Sequence, residues 1–471
     1  MKDNFKIIDL IKFLIVIPLY YIAGKNSLFL YASTLSLYNI YISCFNHLKI
    51  KDTLKKFNYN YSKFKILKYT TLIVSSICLL FIIISILISD TINVFLNIEN
   101  TFLPYLIMSI TIITEPLIKL LLEYLESYNK PKLANRLLNT YYILEMIFFL
   151  LIGIFTMRVF RLPIHISISL LYISKILSFI LVITIILLIL KKQNINFEKH
   201  QEEKNISYKK EIKYILKNNS HKSIISVFKN SYYYISIIIL YMVLSTRYSY
   251  NIDTIKNDIT FIYLYGFSLI NSLIYIILTT LNNRDKNIIS YVLNIFKVMV
   301  TISIILGVTS PLICKLIFGN SSNSIYLMML SFLAIFISLF DITFDNIKNK
   351  KLIYTSLIIG IISKIILIVP LINSFYRLGY NLVYGDIIST IISMFISVII
   401  NYIYLKNKYK KEKTLDKILT TLYESLILCI ILIILQFIIP IKTNNYFISL
   451  LILVVYLTVS VMILKIKKKR G

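Results

Sequence analysis

The chain has 471 residues, 58% of them hydrophobic, with a formal net charge of +29 and a mean hydropathy of +0.77. Those values exclude an ordinary soluble multidomain protein, whose helices would alternate apolar and polar faces. The 51 Lys and Arg residues flank apolar runs of about 20 residues, long enough to cross about 30 Å of hydrocarbon, so they read as topology determinants and contacts to anionic lipids, not as a nucleic-acid surface.

Fourteen membrane-spanning helices are predicted, near 7–24, 27–47, 67–89, 101–122, 134–155, 163–190, 223–245, 258–282, 288–314, 324–345, 352–374, 381–405, 417–440 and 445–465. The first, "IIDLIKFLIVIPLYYIAG", lacks a small-residue cleavage site and reads as a span, not a removed signal. It contains Lys12, and Lys25 follows it. The fourth carries Glu115, Lys119 and Glu123 at i, i+4, i+8, either a polar route or an intrahelical ladder. The fifth, opening at "KLANRLLNTYYILE", holds Glu145, and the sixth holds Lys175. A Lys- and Glu-rich linker, 191–222, separates these six helices from the next. Around the seventh lie Lys229, Arg247 and the run Tyr232, Tyr233, Tyr234, which reads either as a sugar-stacking surface or, more commonly, as core aromatics. The eleventh, "KLIYTSLIIGIISK", places Lys364 at the fourteenth position, as the fifth places Glu145. Asp386 sits in the twelfth and Glu424 in the thirteenth, where Glu424 reads as packing support or part of a tail-binding groove.

The loops orient the chain. With the amino terminus inside, about 37 of the 51 basic residues fall in inside loops and about 8 outside, as the positive-inside rule requires. Both termini are then cytoplasmic. The four cysteines are scattered through apolar segments with no CxxC pair, and the four histidines do not cluster with carboxylates, so neither a metal nor a cofactor is expected.

Two stretches share a layout: "LESYNKPKLANRLLNTYYILEMIFFLLIGIF" and "FDNIKNKKLIYTSLIIGIISKIILIVPLINSF". Each ends a helix on an acidic residue, turns through basic residues and starts a helix with a charge at depth. The expected architecture is an all-α polytopic membrane protein. It comprises an N-terminal six-helix lobe (1–190), the linker (191–222), a pseudo-symmetric second lobe (223–406), and a helix pair with a basic tail (407–471). An ionisable group at mid-membrane costs about 2.5–3.5 kcal/mol, so Glu145 and Lys364 should face protein or a wet cavity. Three arrangements are open: a direct pair between lobes, two poles of one cavity, or local pairing within each lobe. Glu115, Lys175 and Asp386 are further charges with either a coupling or a structural role.

Six plus six plus two helices resemble the MOP exporter superfamily of drug exporters and lipid-linked saccharide flippases. The segment "TSLIIGIISKIILIVPLI" through "LGYNLVYGDIISTIISMFISVIINYIYLKNKYK" is similar to the branch containing MurJ and stage V sporulation protein B, as is "IPLYYIAGKNSLFLYASTLSLYNIYIS". That resemblance implies alternating-access export of a lipid-linked saccharide in polysaccharide or cell-wall biosynthesis, with a coupling ion, H+ or Na+. Cavity cations suited to a phosphate would be Lys25, Lys229, Arg247 and Lys364. Arginines of that branch are replaced here by Lys12 and Lys25 in the first helices, and the chain has 9 glycines, so the resemblance implies the substrate class and not a particular saccharide. A MATE-like drug or cation antiporter is the alternative, normally built from twelve helices. An envelope-biosynthesis enzyme would need a catalytic loop or motif, and no Walker loop, HExxH or nucleophile elbow is present. A non-transporting scaffold would be favoured by dispensable buried charges.

Overall fold

The computed structural model describes residues 17–23, 28–45, 63–96, 100–127, 130–192, 208–248, 251–280, 288–347, 349–408, 414–438 and 446–470. The chain is an all-helical, multi-pass membrane protein. Among the described residues, ten helices are long and apolar enough to cross a bilayer. Helix is forced on such sequences because a bilayer core offers no water to backbone N–H and C=O groups, which an α-helix satisfies within itself. The first predicted span and Lys25 lie largely outside the described residues, with a helical stretch over 17–23.

Two compact units form, 1–257 and 258–471. In the first, α1 (Phe29–Ser43), α2 (Lys63–Leu96), α3 (Phe102–Thr111), α4 (Thr114–Ser127), α5 (Pro131–Gly153), α6 (Ile164–Lys192) and α7 (Tyr208–Arg247) follow in order. The fourth predicted span is thus broken into α3 and α4. Pro116 lacks the N–H that would bond the Ile112 carbonyl, and just before it the Thr114 hydroxyl donates to the Thr111 carbonyl at 2.7 Å. The 40-residue α7 begins inside the predicted linker, so the linker's second half continues the seventh span. It packs on α1 and α2, within the first unit. α5 packs against both α4 and α6, and α3 also lies on α6. A π-helical turn, Ile154–Val159, extends α5.

α8 (Ile252–Thr260) straddles the boundary between units and runs through a second π-helical turn, Phe261–Gly266, into α9 (Phe267–Thr280). The second unit continues with α10 (Ile288–Phe318), α11 (Ser324–Asn346), α12 (Lys350–Arg377), α13 (Val383–Lys408), α14 (Thr414–Ile438) and α15 (Tyr446–Arg470). Its most extensive helix contacts are α10 with α11 and α12 with α13. α14 and α15, the pair beyond twelve helices, both lie against α10, where Lys297 meets Glu424 at 2.8 Å. Glu424 therefore has its ion-pair partner on a neighbouring helix.

Helix contacts inside each unit use small polar residues, since Leu against Leu gains little where the alternative is a lipid tail. Ser303 and Ser331 each donate to the other's carbonyl, at 2.5 and 3.0 Å, joining α10 to α11. A Cβ placed on Gly385 would lie 2.6 Å from the Ile372 backbone nitrogen, so α12 and α13 cross in near backbone contact there. Between those helices the turn at Gly379 has φ +71, and Asn381 caps the entry to α13 by accepting from the Val383 N–H at 3.0 Å. By contrast, α2 exposes a stripe of Leu79, Ile83, Leu87 and Val94 (58–80% exposed), the composition of a lipid-facing surface.

Candidate functional site

The buried and half-buried charges of the first unit collect around one tyrosine. Glu115 stands at the first turn of α4, just past the break, and is 7% exposed. Its Oε1 accepts from Lys119 Nζ at 2.8 Å and from the Tyr142 hydroxyl at 3.2 Å. Its Oε2 accepts from the Tyr38 hydroxyl at 3.4 Å. Lys175, on α6, is ion-paired with Glu145, on α5, and its Nζ also lies 4.8 Å from the centroid of the Tyr38 ring. Tyr38 thus ties two ion pairs together, by its hydroxyl to one and its π-face to the other. Behind it, Tyr172 packs against both Tyr31 and Tyr38 and donates to Thr34 at 2.9 Å. Four helices, α1, α4, α5 and α6, supply this network of two carboxylates and two ammonium groups.

In the second unit, Lys364 and Asp386 are buried to 1% and 0% exposure. Lys364 Nζ lies 3.6 Å from Asp386 Oδ1 and donates to Thr390 Oγ1 at 2.7 Å. Asp386 Oδ2 accepts from the hydroxyl of Tyr263, which the π-helical turn at 261–266 carries. Such turns are an inserted residue in an α-helix and frequently mark functional positions. Asp386 lies in the first turn of α13, where the helix dipole favours a negative charge.

The predicted residues are brought together in part. Glu145 meets Lys175, Glu115 meets Lys119, and Lys364 meets Asp386, so local pairing, one of the three arrangements open from sequence, is present in each unit. Proposed phosphate cations are more dispersed. Lys25 lies outside the described residues. Lys229 is half-buried and Arg247 exposed, 18 positions apart on α7, or about 27 Å along its axis. Tyr232 is fully buried core.

Sequence reading missed Tyr38, Tyr142, Tyr263 and Thr390. Thr390 was within reach, four residues after Asp386 on the same face of a helix. The tyrosines carried no signal, being three among 37.

No protein-family model matches the chain, and no curated protein matches it. Solved structures do. The chain is similar to a structure described as "Lipid II flippase MurJ, inward closed conformation", with a TM-score of 0.65 and 17% identity over 99% of this chain and 98% of that one. It is also similar to a MATE transporter in complex with MaD3S, with a TM-score of 0.56 and 13% identity over 87% of this chain and 95% of that one. A third match, to an outward-facing multidrug resistance MATE family transporter of the MOP superfamily, has a TM-score of 0.51 and 12% identity over 85% and 88% of the two chains. At these identities the likeness is one of fold, and the paired charges described above belong to a chain that shares the fold of these structures.

Proposed function

We propose that this protein is a flippase that moves a lipid-linked saccharide precursor across the cytoplasmic membrane by alternating access, without making or breaking a bond. The observation that carries this reading is the extent of the structural likeness. The flippase fold accounts for 99% of this chain and 98% of its own, including the final helix pair, whereas the MATE matches cited above cover 85–87% of this chain. The helix pair packs against α10 and is part of the folded unit, not an appendage.

On this reading both termini are cytoplasmic, and the anionic linker of the substrate is drawn by Lys25, Lys229, Arg247 or Lys364. Lys364 already holds Asp386 and Thr390, so a phosphate would compete with Asp386 for its charge. That competition is a way to give a ligand different affinity for two states, which any ligand-driven switch requires. Glu115, Glu145, Lys175 and Asp386 would couple transport to H+ or Na+, or hold the lobes rigid.

The test is translocation in proteoliposomes. Purified protein should move a fluorescent polyprenyl-diphosphate saccharide from one leaflet to the other, and efflux of cationic drugs should be absent. Drug efflux coupled to an ion gradient, with no lipid translocation, would replace this reading with the MATE-like antiporter. Absence of both activities in the folded, inserted protein would favour a non-transporting scaffold.

A further inference from the structure

α13 carries a polar stripe along one helical face. Asp386, Thr390, Ser393, Ser397 and Asn401 are spaced by 4, 3, 4 and 4 residues, and all are 2% exposed or less. The stripe spans 15 residues, about 22 Å of helix. Its hydroxyls donate back to the chain: Thr390 to the Asp386 carbonyl at 2.9 Å, Ser393 to the Thr390 carbonyl at 2.9 Å, and Ser397 to the Ser356 carbonyl of α12 at 2.9 Å. Each hydroxyl so engaged still presents oxygen lone pairs.

The two ends of the stripe are unsatisfied. At one, Asp386 Oδ1 accepts no hydrogen bond among the described residues and faces Lys364 at 3.6 Å. At the other, Asn401 is 0% exposed, and both its amide oxygen and its amide nitrogen lack a partner among the described residues. A buried amide with neither group bonded bears the desolvation of both without return, and such groups are normally met by protein or by water. The amide oxygen and nitrogen of Asn401 offer a buried water two polar contacts, and the serine hydroxyls continue as a seam along the same helix face.

The geometry points to a water-binding route along α13. Asn401 holds water at the end of the helix that bears Lys406 and Lys408, and the hydroxyls of Ser397 and Ser393 lead it to the Lys364–Asp386 pair. Tyr263 closes the far end through its bond to Asp386 Oδ2. The pair is then hydrated from one side of the membrane, which lessens the penalty of burying two charges. This inference stands whether or not the protein is a flippase, because it concerns solvent access to one helix face.

Cysteine labelling tests it. In a background with Cys44, Cys78, Cys314 and Cys429 replaced by alanine, single cysteines are placed at Ser393, Ser397, Asn401 and, as a dry control, Met394, which is buried to 0% on the same helix. A small water-soluble methanethiosulfonate should modify the three seam positions on the order of ten-fold faster than Met394→Cys, because reaction needs a solvated thiolate. Rates should fall in the order 401, 397, 393. Seam cysteines as inert as the control would overturn the route, and a reversed order would overturn its direction. Asn401→Leu should slow labelling of Ser397→Cys without lowering the melting temperature; unchanged labelling would remove Asn401 as the water site. If the cysteine-free background does not fold, Asn401→Asp in the original chain decides instead. A hydrated site accepts the carboxylate with a small shift in melting temperature, whereas a dry one prevents accumulation of folded protein and sinks the proposal.

Discussion

Lys364 and Asp386 face each other across α12 and α13 at 3.6 Å with almost no exposure, and Glu145 and Lys175 repeat the relation across α5 and α6 with the signs exchanged. In each unit a charge at the fourteenth residue of one helix, counted from its Lys-Leu start, is met by an opposite charge on the helix that follows. Charge of either sign at that depth is tolerated because the neighbour supplies its counter-charge.

The pairs should behave as units. Lys364→Met or Asp386→Leu alone leaves one charge buried without its partner, and should destabilise the protein by about 3–5 kcal/mol. The double variant Lys364→Met, Asp386→Leu should recover most of that loss. Thermal melts of the four proteins in detergent give the coupling energy directly, and additive losses would show that the pair is not coupled.

Tyr38 should separate its two roles. Tyr38→Phe removes the hydroxyl bonded to Glu115 but keeps the ring beneath Lys175, and should lower stability by about 1 kcal/mol. Tyr38→Leu removes both and should lose a further 0.5–2 kcal/mol or so. Equal losses would mean that Lys175 draws nothing from the ring.

Glu145→Gln tests coupling against structure. With Lys175 as its partner, a structural Glu145 predicts that Glu145→Gln lowers the melting temperature and that Lys175→Gln added to it restores stability. A coupling Glu145 predicts normal folding and loss of translocation in the single variant. Full translocation by the folded Glu145→Gln, Lys175→Gln double variant would remove this pair from the mechanism.

Gly385→Ala should strain the α12–α13 crossing. The added carbon would fall 2.6 Å from the Ile372 nitrogen, and backbone cannot step aside as a flexible side chain can. Overpacking of this kind costs about 1–3 kcal/mol. An unchanged melting temperature would show that the helices separate freely.

Orientation follows from the basic loops. A cysteine replacing Tyr380, 62% exposed in the α12–α13 turn, should react with an impermeant reagent added outside intact cells. Gln201→Cys, in the Lys-rich linker, should react only after permeabilisation. The opposite pattern would invert the topology.

Hydropathy alone led to the helical membrane class, because transfer of an apolar residue into hydrocarbon is a local free energy that sums over about 20 neighbours in sequence. The same reasoning located Glu145, Lys364, Glu115, Lys175 and Asp386 and required that they avoid lipid, since any ionisable group at that depth pays the same penalty. What sequence left open was the partner of each charge, as three arrangements satisfied the requirement equally. Tertiary packing decided it: α6 beside α5 put Lys175 on Glu145, and α13 beside α12 put Asp386 near Lys364. Tyr38 reaches Glu115 across 77 positions of sequence, and Asn401, buried, finds no hydrogen-bond partner among the described residues. Burial of a residue is written in its own neighbourhood of the chain, whereas the identity of what it touches depends on helix contacts between distant segments, which no local pattern encodes.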